Sequence, residues 1–343
     1  MDDTALRELH ALARAAAHPL GTAAVTDATE GAGTAGRPCA CPVSLLADRD
    51  DGTVVRHGGV VLKAHAPDSD AAELRARVAL AGLPALEGVL LPPVPGPRAL
   101  PDGREALADG RPLTVWPFGV PVDPEVPDAA PWEEAGRLLA LLHRTPAPPG
   151  LPPMRARVKV GLAVARMRRT APDHPAAATV LRAWATLPAR DPDEDRRELC
   201  HGDFHLGQLV RPGGGPYWRL IDVDDLGIGD PAWDLARPAA WFAAGLLPPE
   251  VWSRFLGAYE AAGGPATRTG PAVTGPAGTA ARPDGPWARL DVPARALTVQ
   301  TAALAVAKST AEGRPLDEVE DVMIDTCARI ASVRTELAPP ASP

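Results

Sequence analysis

The sequence predicts an α+β chain of two lobes, a small β-rich N-terminal lobe and a larger, mainly helical C-terminal one. Short β-patterned runs bounded by Gly and Asp turns crowd residues 42–65, whereas apolar positions at helical spacing dominate after residue 131. A length of 343 residues fits two domains or lobes. The stretch Trp116-Pro117-Phe118-Gly119 separates the two regimes, because its proline stops a strand. The lobes therefore divide as 1–116 and 117–343.

Residues 4–17 read as an amphipathic helix with Thr4 as its N-cap. A Gly/Ala/Thr stretch follows. Its Gly31-Ala32-Gly33-Thr34-Ala35-Gly36 matches G-x-G-x-x-G in form only and reads as a flexible linker. Strands are expected over 42–46, 53–56 and 59–65, joined by turns over 48–52 and 57–58. A helix over 69–82 stops at Gly82, and two more strands fall near 88–91 and 113–116. In the second lobe, apolar residues 135, 138, 139 and 142 mark one face of a helix over 132–144. His143 ends that helix, where it meets the negative end of the dipole. Further helices fit 156–170, 175–187, 231–245, 249–262, 289–312 and 316–337. The span 263–287, rich in Gly, Pro, Thr and Ala and without periodicity, reads as a disordered insertion, and 338–343 as a tail.

Composition narrows the function classes. A net charge of −8 argues against a nucleic-acid partner. No secretory apolar region follows Met1 and no membrane-length apolar run occurs, so a cytoplasmic protein with no membrane partner is expected. The sequence leaves the oligomeric state open. Of the four cysteines, Cys39-Ala40-Cys41 is too isolated for a zinc site, which wants four ligands. Cys39, Cys41, Cys200 and Cys327 are expected as reduced, buried thiols. The chain has no asparagine and only three lysines, Lys63, Lys159 and Lys308. That bias resembles high-GC coding. It allows glutamine to stand where asparagine would serve, and it draws attention to each surviving lysine.

The chemistry concentrates in His201-Gly202-Asp203-Phe204-His205-Leu206-Gly207-Gln208 and Leu220-Ile221-Asp222-Val223-Asp224-Asp225. Phosphoryl transfer needs a carboxylate to orient an attacking hydroxyl, and an amide with a second carboxylate to hold magnesium against phosphates. Between the two blocks, Leu209-Val210 and Tyr217–Leu220 flank Gly213-Gly214-Gly215, which reads as a β-hairpin. Such a hairpin brings Gln208 and Asp222 to the same end of a ribbon.

These residues resemble the aminoglycoside phosphotransferase family of kinase-like small-molecule kinases. That family carries His-Gly-Asp-x-x-x-x-Asn in its catalytic loop, Ile-Asp in its metal segment, and a Gly-Asp-Pro-x-x-Asp-Leu-Ala run. The run here is Gly229-Asp230-Pro231-Ala232-Trp233-Asp234-Leu235-Ala236. The resemblance implies a bilobal protein-kinase-like fold and ATP (or GTP) with Mg²⁺ as cofactors. It places Asp203 as the catalytic base, with Gln208 and Asp222 on the metal. Beside them, Asp224 and Asp225 would add a second metal contact or attract a cationic substrate. His201 would hold the catalytic loop by backbone hydrogen bonds, and His205 would touch substrate or brace Asp203. Asp230 and Asp234 would brace the large lobe, Asp230 as the N-cap of the 231–245 helix. Lys63 and Glu73 take the positions of an ion pair whose lysine touches the α- and β-phosphates. The turn from Asp48 to Gly52 would cover phosphates through backbone N–H groups. Trp116 and Phe118 would line an adenine slot or pack the core between the lobes.

Gln208 stands where the family usually has asparagine, and a His-x-x-Gln form appears in maltokinase-like relatives. Three readings follow. The first is an ATP-dependent kinase acting on a hydroxyl of a small polar molecule, whether an aminoglycoside, another antibiotic or a metabolite. The second is a maltokinase-like sugar kinase, and the third a catalytically silent kinase-like binding protein. Lys63, Asp203 and Asp222 together favour an enzyme over the third.

Overall fold

Asp2, and not Thr4, caps the first helix. Its carboxylate accepts from the amides of Thr4 and Ala5 at 2.9 and 2.8 Å. A full negative charge at a helix N-terminus is favoured over a neutral hydroxyl there. The coordinates are a computed structural model, which describes residues 2–18, 39–49, 52–94, 105–190, 195–268 and 285–337. In chain order the N-terminal elements are α1 (Asp3–Ala17), β1 (Val43–Arg49), β2 (Gly52–His57), β3 (Val60–His65), α2 (Ala71–Ala81), β4 (Leu113–Pro117) and β5 (Gly119–Pro121). There follow α3 (Trp132–Arg144), α4 (Ala156–Thr170), α5 (Ala177–Ala185), β6 (Glu198–Cys200), β7 (Leu209–Pro212), β8 (Arg219–Leu220) and β9 (Gly227–Gly229). The chain closes with α6 (Ala232–Ala244), α7 (Pro249–Ala261), α8 (Trp287–Glu312) and α9 (Glu318–Leu337). The linker glycines Gly31 to Gly36 lie outside the described residues, as does most of the 263–287 span, from 269 to 284.

The chain divides into two compact units, and the first combines residues 1–121 with the later segment 210–221. A boundary drawn at one point, such as 116/117, does not express that return of the chain. The first unit holds the antiparallel sheet β1-β2-β3-β4, in which Val54 faces Lys63 and Lys63 faces Thr114. Apolar residues of α1 recur at one face, and Leu9, Leu12 and Ala13 pack on Val55, Leu62, Ala64 and Val115. Full burial of each leucine contributes roughly 1.5–3 kcal/mol. Side chains alternate along a strand, so burying Leu62 and Ala64 turns Lys63 to the opposite face of the sheet.

Two expectations in this unit need correction. Residues 88–91 do not form a strand. Leu90 makes isolated bridges to Glu87 and to Leu220, the latter through Leu91 N–H to Leu220 O at 2.8 Å and Leu220 N–H to Val89 O at 2.9 Å. Gly88, at φ 91°, bends the chain so that the ladder cannot extend. The turn over 48–52 is also shorter than expected. β1 runs on to Arg49 and pairs with Gly52, which leaves the connection to residues 50 and 51, outside the described residues.

The second unit, residues 122–209 and 222–343, is mainly helical. α8 packs against α4, α6 and α9, while α3 packs against α7. The α3–α7 approach is close because residue 136 is glycine: a Cβ there would overlap the Phe255 carbonyl oxygen. Gly136→Val should therefore lower stability by about 1–3 kcal/mol through overpacking, seen as a lower thermal midpoint. An unchanged midpoint would mean that the two helices can move apart. At the edge of the span expected to be disordered, Ala266 is buried and its N–H donates to the Tyr259 hydroxyl at 2.8 Å, so residue 266 is part of the packed unit. Among the described residues no helix is long and apolar enough to cross a membrane.

Candidate active site

A two-stranded ribbon sets the catalytic segments side by side. β6 and β9 are antiparallel, with Cys200 opposite Gly227. The loop leaving β6 and the segment entering β9 therefore share one end of the ribbon. Gly202 sits at φ 85° against Asp225, and a Cβ at this position would overlap the Asp225 carbonyl oxygen. This is a position only glycine fits. The hairpin of β7 and β8 turns on Gly213 and Gly214, both at positive φ. It separates Gln208 from Asp222 in sequence while returning them to one place. Gln208 Nε2 donates to Asp222 Oδ2 at 3.3 Å. Asp222 is the non-glycine residue at positive φ among the described residues, at 65°. Such a conformation is uncommon outside glycine and concentrates at functional sites.

Asp234 holds the loop in place. Its Oδ2 accepts from the His201 amide at 2.6 Å and its Oδ1 from the Gly202 amide at 2.7 Å. His143 Nε2 donates to the same Oδ2 at 2.8 Å, and His143 Nδ1 meets the Tyr259 hydroxyl at 2.8 Å. Burial pushes the Tyr259 phenol up, so it stays protonated and donates to Nδ1, which places the imidazole proton on Nε2. Burial works against a charge on Asp234, yet the His143 hydrogen bond and the neighbouring histidines outweigh it and hold the carboxyl below its ordinary value. His143 is thus no terminal dipole contact. It is a buried link between Tyr259 and the catalytic loop. Asp230 accepts from the Ala232 amide at 3.1 Å and from Arg289 at 2.7 Å, so it braces the start of α6 from just outside the helix.

Asp203 sits between two cations. Lys159 Nζ reaches Asp203 Oδ2 and Asp225 Oδ2, each at 2.7 Å, and Arg237 reaches Asp203 Oδ1 at 2.9 Å. Burial alone would raise the Asp203 carboxyl, but Lys159 and Arg237 outweigh it and keep the group below the ordinary range. Asp225 has Lys159 at 2.7 Å and only a long contact to Arg155, at 4.0 Å, and there burial wins and pushes its carboxyl up. His205 is drawn down to about 4 by burial and by the Arg237 charge, and is neutral at pH 7. Its Nδ1 accepts from the Gly207 amide at 3.0 Å, so it shapes the short turn that presents Gln208. Asp224 is partly buried beside these groups in sequence.

The hard oxygen donors available from Gln208 and Asp222 suit a magnesium ion, which takes carboxylate and carbonyl ligands. The Gln208 amide turns its nitrogen to Asp222, and a half-turn about its last side-chain bond presents the oxygen instead. Next to Asp203 lies a small hollow lined by Ala156, Trp233, Arg237, Leu297 and Gln300. Gln300 is 4% exposed and its Oε1 has no hydrogen-bond partner among the described residues. A buried acceptor without a donor is uncommon in folded proteins.

The remaining sequence candidates lie in the first unit. The half-buried Lys63 runs past Gly52, where an added Cβ would lie 3.4 Å from its Cε. Glu73 pairs with Arg77 at 3.0 Å within α2. Asp48 accepts from the Thr53 hydroxyl at 2.8 Å. Trp116 Nε1 donates to Thr114 at 2.8 Å, and the Arg56 guanidinium covers one face of Phe118 at 3.4 Å. Sequence reasoning missed Lys159, Arg237, His143 and Tyr259 as site residues. The scarcity of lysine marked Lys159, and Arg237 directly follows the Asp234-Leu235-Ala236 run. Nothing in the sequence marks Tyr259.

Comparison with known proteins agrees with this fold. Solved structures of similar fold include choline kinase from Cryptosporidium parvum Iowa II, at 11% identity and TM-score 0.52, covering 87% of this chain and 90% of that one. A thermostable mutant of aminoglycoside phosphotransferase APH(4)-Ia in its apo form is similar at 14% identity and TM-score 0.51, over 85% of this chain and 94% of that one. A ternary complex of the same enzyme with AMP-PNP and hygromycin B gives 12% identity, TM-score 0.51 and the same coverages, 85% and 94%. These likenesses establish the protein-kinase-like fold. None of the curated proteins matches the chain in sequence. The profile of the Phosphotransferase enzyme family, APH, matches residues 43–275, well over half of the chain and spanning residues 201–208, 220–225 and Asp234; the chain belongs to that family.

Proposed function

We propose that the protein transfers the γ-phosphate of ATP to a hydroxyl group of a small polar molecule. The observation that carries this reading is the placement of Asp203 and the Gln208–Asp222 pair on one loop system whose amides are held by a single buried carboxylate. Asp203 stays ionised because Lys159 and Arg237 flank it. It accepts a hydrogen bond from the attacking hydroxyl and takes the proton late, when the forming P–O bond has made that proton acidic. A weakly basic carboxylate suits a late transfer. Gln208 and Asp222, with Asp224, would hold Mg²⁺, which when bound offsets charge on the phosphate oxygens. Lys63 is assigned to the α- and β-phosphates, and the backbone around Gly52 to phosphate cover. The hollow beside Asp203 is assigned to the acceptor, with Gln300 Oε1 receiving a donor from it.

The complex of the APH(4)-Ia enzyme with AMP-PNP and hygromycin B supports a nucleotide and a polar acceptor as the substrate pair. The test is ATP turnover with magnesium across aminoglycosides, other antibiotics, sugars and amino alcohols, with GTP as a competing donor. Turnover confined to sugars would select the maltokinase-like reading. Nucleotide binding with no turnover on any class would leave a silent binding protein.

A metal titration checks the departure at Gln208. Gln208→Asn should keep most activity at saturating magnesium and lose some at low magnesium, because the shorter amide reaches less far. Gln208→Ala should shift the dependence of kcat on Mg²⁺ to higher concentration. A wild-type metal curve for Gln208→Ala would remove Gln208 from the ligand set and leave Asp222 with Asp224.

A further inference from the structure

The first unit carries a second cluster of metal-binding side chains, and the phosphoryl-transfer reading does not use it. His18, Cys39, Cys41 and His57 each present one ligand atom, and the four atoms lie within 4.8 Å of one another. Cys39 Sγ is 3.0 Å from His57 Nε2, and Cys41 Sγ is 3.3 Å from His18 Nε2. The two imidazole rings meet edge to face, at 89° and 5.4 Å between centroids. All four cysteines are free thiols, and Cys39 and Cys41 are only partly buried, which corrects the sequence expectation for this pair. The sequence offered two ligands one residue apart. The fold adds the other two from elements distant in the chain.

We propose that His18, Cys39, Cys41 and His57 form a structural zinc site. A tetrahedron with Zn–S near 2.3 Å and Zn–N near 2.0 Å has edges of roughly 3.5 Å, and the four atoms, all within 4.8 Å of one another, reach it with small side-chain shifts. Two thiolates and two imidazoles are a donor set that zinc favours over magnesium or calcium, which take oxygen. On binding, the two thiols release their protons to solvent and the imidazoles bind neutral. The site then carries two negative charges against the two positive charges of the ion. That balance suits the position of His57, which is 4% exposed.

The backbone holds the ligands ready. His57 ends β2 and faces Val43 across the sheet, directly after Cys41 and Pro42. The Gly58 N–H donates to Pro42 O at 2.8 Å, and Cys41 Sγ lies 3.4 Å from where a Gly58 Cβ would be. Gly58 is at φ 60°, so the turn after His57 packs on the Cys41 thiol without a side chain intervening. His18 is the C-cap of α1, with its own N–H bonded to Arg14 O at 3.1 Å. An ion at this point ties the end of α1 to the end of β2 and to the entry of β1. It also closes the chain between residues 18 and 39 into a loop, so its binding energy contributes to folding of the unit.

The test uses the untagged full chain, purified under reducing conditions, with metal content measured by mass spectrometry. Wild type should hold about one zinc per chain, and Cys41→Ser and the exposed His18→Ala should each hold less than roughly a tenth of that. Cobalt added to metal-free protein should give the thiolate charge-transfer and visible bands of a tetrahedral site, absent in Cys39→Ser. Asp222→Asn and Cys327→Ser should keep the zinc, which separates this site from the magnesium ligands. Protein that comes without zinc and gives no cobalt bands overturns the proposal. So does zinc retained in both Cys39→Ser and Cys41→Ser.

Discussion

Asp203→Ala is expected to lower kcat by about 10²–10⁴, the range for loss of a general base, while ATP binding stays near wild type. The base touches the acceptor and not the nucleotide, so the loss belongs in kcat and in the acceptor terms. The structure adds a complication. Asp203 also neutralises Lys159 and Arg237, and removing it leaves Arg237 facing the hollow without this partner. Asp203→Asn keeps the shape while removing the charge, although its amide NH₂ must face Lys159 or Arg237, and it separates lost chemistry from lost packing. Both variants should bind nucleotide in calorimetry and fail in turnover. If either keeps more than about a tenth of wild-type kcat, against the 10²–10⁴ expected, the base is another group.

The parts of this site that could be read from the sequence were those set by local spacing. The loop from His201 to Gln208 and the return at Asp222 are joined by a hairpin whose turn glycines are visible in the sequence, so their meeting could be expected without coordinates. Helix limits from 132 to 144 and 156 to 170 likewise agree with the structure, because apolar periodicity is a local signal. Long-range polar contacts carry no such signal. The Lys159 contact with Asp203 joins α4 to the catalytic loop, and the Tyr259–His143–Asp234 chain joins α7, α3 and α6. Each depends on how helices pack. The expected strand near 88–91 failed for a related reason: an apolar run gives burial, which Val89, Leu90 and Leu91 have, but not a partner long enough for a ladder. The cap lies at Asp2 and not Thr4 because Asp2, Asp3 and Thr4 are all residue types that cap helices, and the local rule does not rank them.

Asp234→Ala should be the most damaging single substitution in the second unit for stability, at about 3–5 kcal/mol, because leaving a buried donor unsatisfied costs roughly 1–3 kcal/mol. Three donors lose their acceptor at once: the amides of His201 and Gly202 and the His143 ring. Asp234 is 1% exposed, so water cannot replace it. Asp234→Asn should fall between wild type and alanine, because its amide NH₂ must face one of those donors. The pH dependence has a definite sign. The Asp234 carboxyl is held below its ordinary value in the folded protein. Its contribution is therefore complete above the unfolded carboxylate value, near pH 4, and is lost only as pH falls through the lower folded value. Thermal midpoints of wild type and Asp234→Ala should differ by a constant amount from pH 8 down to about 5 and converge at more acidic pH. A difference that closes already near neutrality would mean that protonation of a histidine, and not ionisation of Asp234, controls the brace. Turnover supplies the link to function. The same amides position Asp203, so any Asp234→Asn protein that folds should show reduced kcat with nucleotide binding intact. Full activity in that variant would show that the catalytic loop keeps its shape without this carboxylate.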